Sequence, residues 1–306
     1  MTRKSNNHKK GGSRAFTGSG DFRPKKNLGQ NFLNDMNIVR KILFVAETSG
    51  NDAVIEVGPG LGIMTRELAG SAGLVVAVEI DKSLMPRLQP LAEEFPNVRL
   101  INRDILKTDV RRDIIDAFVS GSAGASGQPL DKVKVVANLP YYITTPIIMK
   151  FLEDNSGDVD SMVIMVQKEV AERMVASPGG KDYGAMTVTV NYYSVPEIQF
   201  IVPPSCFTPR PGVDSAVIRL TMRKTPPFEL KDEKYFFDVV RAAFSQRRKT
   251  LANALANAPC VGVPREAVSQ ALEALGKDPL ARGETLSPRE FGELSNRLWE
   301  SRDRGA

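Results

Sequence analysis

The sequence predicts an α/β fold, in which a mostly parallel sheet with an antiparallel last strand is followed by a small all-α domain. Short apolar strand patterns alternate with amphipathic helix patterns from residue 53 onward, which is typical of a parallel sheet covered by helices on both faces. The last two strands are joined by a proline-rich stretch at 203–211 that is too short for a crossover, so they should be antiparallel. After Thr225-Pro226-Pro227 only helix patterns follow.

The predicted elements follow one another along the chain. A polar turn at 27–35 leads into a first helix, whose apolar face includes Ile38, Ile42 and Ala46. The predicted strands are 53–57, 74–80, 98–101, 133–137, 161–166, 195–201 and 213–222. The predicted helices begin near residues 62, 84, 109, 145, 168 and 183, and those of the C-terminal region span 232–245, 247–257, 265–275 and 288–300. The low-complexity stretch 120–128 is predicted to be a surface loop.

The formal charge of +5 is concentrated at the N-terminus. Residues 1–26 contain eight Lys or Arg residues and one acid, whereas the rest of the chain is close to neutral. This Gly/Asn/Ser-rich arm lacks apolar periodicity, so we predict that it is disordered and either contacts phosphates or remains a solvated tail. An import signal is disfavoured because an amphipathic repeat is absent. The predicted organisation is an arm at 1–26, an α/β domain at 27–224 and a helical domain at 225–306.

The composition argues against several classes of protein. No apolar run approaches the roughly 18–20 residues that cross a membrane, and 42% apolar with 25% charged residues is ordinary for a globular protein. Cys206 and Cys260 are the only cysteines and His8 is the only histidine. A disulfide framework, a transition-metal site and histidine catalysis are therefore not expected. We expect a cytoplasmic protein without a metal or a membrane span.

A glycine-rich run, Glu56-Val-Gly-Pro-Gly-Leu-Gly62, closes the strand at 53–57 and opens a helix. Gly58, Gly60 and Gly62 remove side chains from this turn, so backbone N–H groups and the helix N-terminus can face a ligand. Glu79 follows Gly62 by 17 residues, close to the spacing at which an acid accepts ribose hydroxyls. The pattern fits the nicotinamide cofactor of a dehydrogenase as well as a sulfonium nucleoside. A tight turn without any ligand is the structural alternative.

Two further features favour a sulfonium nucleoside. Glu56 lies inside a strand, where a buried carboxylate needs hydrogen-bond partners, and we expect it to brace the backbone amides of the glycine loop. The run Asn138-Leu-Pro-Tyr141 follows the strand at 133–137. Its amide oxygen, a backbone carbonyl and an aromatic face can together receive an exocyclic amino group, such as N6 of an unpaired or flipped adenine. The alternative is an ordinary turn with a core tyrosine.

Four motifs in order give a specific resemblance. They are Leu28-Gly-Gln-Asn-Phe-Leu33, Glu56-Val-Gly-Pro-Gly-Leu-Gly62, Asn138-Leu-Pro-Tyr141 and Phe207-Thr-Pro-Arg-Pro-Gly-Val-Asp-Ser215. From about Lys26 to the C-terminus the chain resembles the ribosomal RNA adenine N6,N6-dimethyltransferase family, especially the bacterial members that dimethylate two adjacent adenosines near the 3′ end of small-subunit (16S) ribosomal RNA. The resemblance implies a Rossmann-like class I methyltransferase sheet, S-adenosylmethionine as cofactor, and a monomer that acts on pre-30S particles during ribosome biogenesis.

The resemblance also assigns roles to individual residues. The cofactor would be bound by Asn31, Leu33, Gly58, Gly60, Glu79, Asp104 and Asn138. Among these, Glu79 would hold the ribose hydroxyls and Asp104 the adenine amino group. The catalytic residues would be Asn138, Leu139, Pro140, Tyr141 and Phe207. Phe207 would be a second aromatic wall that clamps the target base against Tyr141.

The implied chemistry is a direct displacement by adenine N6. The Asn138 side chain and the Leu139 carbonyl would accept hydrogen bonds from the amino group and orient its lone pair, so a strong general base is not required.

Three other functions stay open: a non-catalytic RNA-binding assembly factor, an enzyme acting on large-subunit RNA, and a nicotinamide dehydrogenase whose hydride-transfer residue is not identified. Candidate phosphate ligands are Arg210 and the run Arg247-Arg248-Lys249 at the start of a predicted helix, although such runs are commonly solvated.

Overall fold

The computed structural model describes residues 29–124, 127–246 and 248–303. The predicted arm at 1–26 lies outside these ranges, as do two residues of the predicted loop at 120–128. The strands are β1 (Phe32–Leu33), β2 (Asp52–Val57), β3 (Leu74–Glu79), β4 (Val98–Asn102), β5 (Lys132–Asn138), β6 (Ser161–Gln167), β7 (Ser194–Val202), β8 (Phe207–Thr208) and β9 (Ser215–Met222). The α-helices are α1 (Met36–Ala46), α2 (Ile63–Ala69), α3 (Met85–Glu94), α4 (Thr144–Asn155), α5 (Lys168–Met174), α6 (Ala185–Tyr193), α7 (Glu233–Ser245), α8 (Leu251–Ala256), α9 (Arg265–Ala274) and α10 (Pro288–Asp303).

Seven of these strands form a central sheet in the order β4-β3-β2-β5-β6-β9-β7. Strand β9 lies between β6 and β7 and runs antiparallel to both, whereas the remaining described pairs of this sheet are parallel. The prediction of a mostly parallel sheet with an antiparallel last strand is therefore confirmed. Strands β2 and β3 are buried along their whole length, which explains why their sequences are continuous apolar runs rather than alternating patterns.

One predicted helix has a different pitch. The chain at Arg111–Val119 is wound as a π-helix, and the Ser120 N–H donates to the Ile115 carbonyl, five residues earlier, at 2.8 Å. Its side chains Ile114, Ile115 and Val119 are buried. The sequence pattern predicts which side chains face the core, but it does not distinguish the two hydrogen-bonding patterns.

The basic run predicted to begin a helix precedes that helix. Helix α8 begins at Leu251, and the hydroxyl of its N-cap residue, Thr250, accepts a backbone N–H at 3.4 Å. Arg248 and Lys249 therefore lie in the connection between α7 and α8, while Arg247 lies outside the described residues. The predicted helix start is wrong because threonine satisfies the free N–H groups of a helix end, which basic side chains cannot do.

The C-terminal helices pack against the α/β part through an aromatic cluster. The rings of Tyr192 and Tyr193 lie 5.6 and 5.4 Å from that of Phe237, and both tyrosine hydroxyls donate to the Glu233 carboxylate, at 3.2 and 2.5 Å. One hydrophobic cluster continues from the sheet into α7–α10. The division into domains at 224/225 stays a prediction, since the packing is continuous across it. None of the described helices is both long enough and apolar enough to span a bilayer.

A buried ion pair holds α1 to the edge of the sheet where the parallel strands begin. Lys134 and Asp52 lie 3.0 Å apart, with side chains only 7% and 3% exposed. The Lys134 ammonium also donates to the carbonyls of Ala46 and Glu47, at 3.2 and 2.6 Å. These carbonyls lie at the end of α1 and have no partner within the helix. One lysine therefore compensates both a buried carboxylate and a helix terminus.

Replacement of Lys134 by methionine should destabilise the protein by about 3–5 kcal/mol, because it leaves Asp52 as an uncompensated buried charge. Urea unfolding monitored by circular dichroism measures this loss. The matched control is Lys132→Met, an exposed lysine on the same strand, which should change the free energy of unfolding by less than about 0.5 kcal/mol. Equal effects of the two substitutions would contradict the assignment.

Candidate active site

A cavity opens at the carboxyl ends of β2, β3, β4 and β5, where open parallel sheets bind their ligands. It contains about 1080 Å³ of empty space, its open mouth included, which is ample for a nucleoside-sized ligand. The predicted site residues that line it are Asn31, Leu33, Gly58, Gly60, Glu79, Asp104, Asn138, Leu139, Pro140 and Tyr141. The structure therefore brings together every predicted site residue except Phe207. Among the described residues no group of three or more His, Cys, Asp or Glu side chains could hold a metal ion.

The segment Gly29–Leu33, which we call the strap, crosses the cavity and contacts the ends of two sheet strands. The Gln30 side-chain amide donates to Asp81, just beyond β3, at 3.0 Å. The Asn31 carbonyl accepts a hydrogen bond from Asn138 Nδ2, at the end of β5, at 3.2 Å. The strap thus forms one wall of the cavity although it precedes the sheet in sequence.

The loop between β2 and α2 is left-handed at each of its three glycines. The φ angles are +71° at Gly58, +59° at Gly60 and +78° at Gly62, a region that residues with a side chain rarely adopt. Their N–H groups donate within the protein, and the acceptors are the Val78 carbonyl at 2.9 Å, the Glu79 carboxylate at 3.3 Å and the Pro59 carbonyl at 2.9 Å. These three N–H groups are therefore used by the fold to fix the turn, and the expectation that backbone N–H groups face a ligand does not hold for them.

Gly58 leaves open space on the cavity side of this loop. A Cβ atom built on Gly58 would meet no atom within 4 Å. At Gly60 it would lie 3.0 Å from the Phe32 ring, and at Gly62 it would lie 2.3 Å from the Leu91 side chain. Gly60 and Gly62 therefore make room for the protein's own side chains, whereas Gly58 exposes bare backbone that a ligand can approach.

Glu79 ties the glycine loop to the end of β3. Its carboxylate accepts from the Gly60 N–H at 3.3 Å and from the Asp81 N–H at 2.7 Å, and the residue is 4% exposed. Burial raises the pKa of Glu79, while the bonds from the backbone oppose that rise. Each carboxylate oxygen has a second lone pair, so Glu79 can still accept hydrogen bonds from a ligand.

Glu56 does not brace the loop, contrary to prediction. It is fully buried, and neither of its carboxylate oxygens has a hydrogen-bond partner among the described residues. Burial raises the pKa of Glu56 to about 8. The nearby Thr65 hydroxyl lowers this pKa, and the Glu79 charge raises it. The Thr65 hydroxyl is itself buried without a hydrogen-bond partner in the described part of the chain. At neutral pH the free protein therefore holds Glu56 mainly as the neutral acid.

Asp104 follows β4 and caps a short 3₁₀ turn, Ile105–Lys107. One of its carboxylate oxygens accepts the Leu106 N–H at 3.0 Å. This bond fixes the orientation of the side chain at the cavity wall and leaves the second oxygen available as an acceptor. Asn102, at the end of β4, donates to the Glu79 carbonyl at 2.7 Å, which holds the ends of β3 and β4 in register.

The Asn138 turn presents oriented polar groups to the cavity. Because Asn138 Nδ2 donates to the Asn31 carbonyl, the amide oxygen is left as an acceptor. Tyr141 is half-buried, and its hydroxyl shares a 2.6 Å hydrogen bond with that of Ser215 at the start of β9. Burial raises the pKa of Tyr141. The ring is therefore a neutral aromatic surface fixed at its far end.

Phe207 is not an aromatic wall of this cavity. Its side chain is 2% exposed and belongs to the hydrophobic core. In the antiparallel pair of β1 and β8, Leu33 lies opposite Phe207 and Phe32 lies opposite Thr208. Successive residues of a strand face opposite sides, so Leu33 and Phe207 lie on one face of this pair and pack in the same hydrophobic cluster, while Phe32 lies on the other face. Phe32 and Leu33 both line the cavity, whereas Phe207 does not. The ring that the strap contributes to the cavity is that of Phe32.

Comparison with known proteins identifies the family. The family model of ribosomal RNA adenine dimethylase matches residues 21–277. The chain belongs to this family. Curated relatives named Ribosomal RNA small subunit methyltransferase A include one from Geobacillus thermodenitrificans (strain NG80-2), 50% identical over 278 residues, and one from Moorella thermoacetica (strain ATCC 39073 / JCM 9320), 50% identical over 275 residues. Each alignment covers 90% of this chain and 92% of the relative.

Solved structures agree with this assignment. A crystal structure of a dimethyladenosine transferase from Plasmodium falciparum superposes with a TM-score of 0.71 at 25% identity, covering 90% of this chain and 98% of that one. The 23S rRNA methyltransferase ErmE superposes with a TM-score of 0.63 at 28% identity, covering 88% and 99%. The protein is thus an rRNA adenine dimethylase with the predicted class I methyltransferase fold, and the dehydrogenase alternative is excluded.

Several residues that shape the dimethylase site were not singled out from the sequence. Asp81 accepts a hydrogen bond from the Gln30 side chain, and the Ser215 hydroxyl shares one with that of Tyr141. Phe32 packs over the glycine loop. Gln30, Phe32 and Ser215 lie inside the four motifs, so the signal was present but their contacts were not predictable. Asp81 follows Glu79 by two residues, and nothing in the local sequence indicates its partner.

The raised pKa of Glu56 predicts a pH-dependent stability. The folded-state pKa of about 8 exceeds the ordinary value of 4.5, so the unfolded chain loses this proton first as the pH rises. The proton on Glu56 stabilises the folded state fully below the ordinary pKa. This contribution to the free energy of unfolding is lost as the pH rises through about 8. Relative to Glu56→Gln, the free energy of unfolding of the wild type should fall by roughly 3 kcal/mol between about pH 4.5 and pH 7.

Thermal and urea unfolding of both proteins across this pH range measure the difference. The control is Glu93→Gln, an exposed carboxylate on α3, which should keep the pH dependence of the wild type. Parallel pH profiles for the wild type and Glu56→Gln would show that Glu56 ionises in the folded protein as it does in the unfolded chain.

Proposed function

We propose that this dimethylase transfers methyl groups from S-adenosylmethionine to N6 of two adjacent adenosines near the 3′ end of small-subunit (16S) ribosomal RNA, within assembling small subunits. The observation that carries the proposal is the orientation of Asn138. Its NH₂ group is held by the strap, so its amide oxygen is available beside the Tyr141 ring for an amino group. The small-subunit assignment is supported by 50% identity over 90% of the chain to relatives named for that substrate.

The large-subunit alternative is less well supported. The fold alone does not exclude it, because the 23S rRNA methyltransferase ErmE superposes on this chain with a TM-score of 0.63. Sequence identity does separate the two substrates, at 28% for ErmE against 50% for the small-subunit relatives. The non-catalytic alternative is disfavoured because the Asn138 turn is complete and its hydrogen bonds are formed.

The cavity fits the proposed methyl donor. Bare backbone at Gly58 gives a ligand close access, and the buried Glu79 carboxylate can accept two ribose hydroxyls. The residues that would hold the donor are Asn31, Leu33, Gly58, Gly60, Glu79, Asp104 and Asn138. S-adenosylmethionine supplies an electrophilic methyl group on a sulfonium centre. The acidic side chains of Glu79 and Asp104 line the same cavity and favour a cationic ligand.

The protein's own groups at the Asn138 turn would activate the target adenine. Its N6 lone pair is delocalised into the ring and is a poor nucleophile. The Asn138 amide oxygen and the Leu139 carbonyl would accept hydrogen bonds from the two N–H groups of N6. These bonds would localise the nitrogen lone pair and direct it toward the donor. Tyr141 would stack on the ring and hold it in the plane that this geometry requires. The N6 proton is acidic once nitrogen becomes cationic, so it can leave to water.

Methyl incorporation into small-subunit particles that lack the modification tests the proposal. With isotope-labelled S-adenosylmethionine, the wild type should modify two adjacent adenosines near the 3′ end, as located by mass mapping of RNA fragments. Asn138→Ala should lower kcat by about 10²–10³-fold, because an oriented acceptor is lost. The control Asn97→Ala removes a part-buried asparagine at the opposite edge of the sheet and should retain kcat. Modification of large-subunit RNA alone, or full activity of Asn138→Ala, would contradict the proposal.

Glu79→Gln should weaken donor binding. The amide NH₂ of glutamine would face the N–H of Gly60 or of Asp81, so one of the two bonds that hold the loop is lost along with the charge. Since bonds to charged groups are worth about 1.5–3 kcal/mol, the Kd for S-adenosylmethionine should rise about 10- to 150-fold. Isothermal titration calorimetry measures this change, with the exposed Glu93→Gln as control. An unchanged Kd would exclude Glu79 from the donor site.

A further inference from the structure

An exposed aromatic side chain lies at the rim of the cavity. In the described part of the chain, two exposed large apolar residues line the cavity: Ile80, which follows the donor-side Glu79, and Tyr142, which follows Tyr141. Tyr142 is 53% exposed. It is adjacent to Tyr141, the surface on which the target base would lie.

The backbone directs Tyr141 and Tyr142 to different places. Residues Tyr141–Ile143 form a 3₁₀ turn, which has three residues per turn, so consecutive side chains diverge by about 120°. Tyr141 points inward and is anchored through its hydroxyl to Ser215. Tyr142 points outward at the rim, and its hydroxyl has no hydrogen-bond partner among the described residues.

The strap supports the Tyr142 ring from one side. A Cβ atom built on Gly29 would lie 3.0 Å from Tyr142 Cδ1 and 3.4 Å from Cε1, so the ring packs against bare glycine backbone. Gly29 also has a φ of +56°, which favours glycine at this position. The ring is therefore supported on one side by the strap while about half of its surface remains open to solvent.

We propose that Tyr142 is a stacking platform for the nucleotide next to the target adenosine. The proposal rests on the proposed function, in which the targets are two adjacent adenosines. When one base leaves the stack to enter the pocket, its neighbour loses a stacking partner, and an open aromatic ring at the rim can replace it. The ring is fixed on one side of the pocket, so it stacks on the nucleotide that lies on that side of whichever of the two adenosines occupies the pocket.

The kinetics of Tyr142 variants on unmodified small-subunit particles test the platform. Tyr142→Ala should raise KM for particles about 5- to 150-fold, the range found when one base–aromatic stack is removed. Tyr142→Phe and Tyr142→Trp keep a ring and should stay close to the wild type. The Kd for S-adenosylmethionine should not change in any of them. Phe44→Ala is the matched control, because Phe44 is 85% exposed near the end of α1, which contacts the opposite edge of the sheet through Lys134.

A second substrate isolates the neighbouring base. Particles are reconstituted with ribosomal RNA whose 3′ segment carries an abasic nucleotide beside the target adenosine. On this substrate Tyr142→Ala and the wild type should have equal KM, since the base that stacks on the ring is gone. An equal penalty for Tyr142→Ala on both substrates, or no penalty on the intact one, would overturn the platform while leaving the proposed function in place. Absence of methylation by the wild type on intact particles would overturn the proposed function and, with it, the substrate that the platform requires.

Discussion

The carboxylate of Glu79 is the interaction on which the donor side of the cavity depends. It connects the glycine loop to the end of β3 through two backbone N–H groups, and both connected segments line the site. Its partners are neutral amides rather than a cation, so the negative charge remains in the cavity instead of being cancelled. The other glycine N–H groups of the loop are also satisfied internally. The loop therefore has its shape before any ligand arrives, which removes an ordering cost from binding.

The side of the cavity that would bind the methyl-accepting adenine depends on the strap. Asn138 and Asn31 are 107 residues apart in sequence, yet the single bond between them fixes which end of the Asn138 amide faces the cavity. The strap is itself held by Gln30 at the end of β3 and by the pairing of β1 with β8. The donor and acceptor sides thus share one wall, so a shift of the strap displaces groups on both sides. Its position is a geometric constraint on the distance between the two reacting molecules.

The sequence predicted the location of the site better than its internal contacts. Glu79, Asp104 and Asn138 lie at or just after the ends of three parallel strands, and the topology alone brings those ends to one edge of the sheet. The brace of the glycine loop was assigned to Glu56 rather than Glu79, because the choice between two nearby carboxylates depends on side-chain direction, which a pattern does not encode. Phe207 was misplaced for a related reason: in a pair of two-residue strands, one residue faces the core and the next faces away, and composition favours neither. A helix near 109–118 was predicted but its π-helical pitch was not, since the sequence pattern does not distinguish the two hydrogen-bonding patterns.

The unpaired Glu56 is a buried carboxyl group in the wall of the cavity that is proposed to bind a cationic ligand. A buried carboxyl without hydrogen-bond partners is unfavourable for folding, and the nearby Glu79 charge adds to that cost by raising its pKa further. Arg103 also lines the cavity, and its guanidinium forms an ion pair with Asp113 at 2.9 Å. Because Glu56 is mainly neutral near pH 7, the charge that would favour a cation over a neutral analogue comes from Glu79 and Asp104, and the low exposure of Glu79 keeps water from screening its charge.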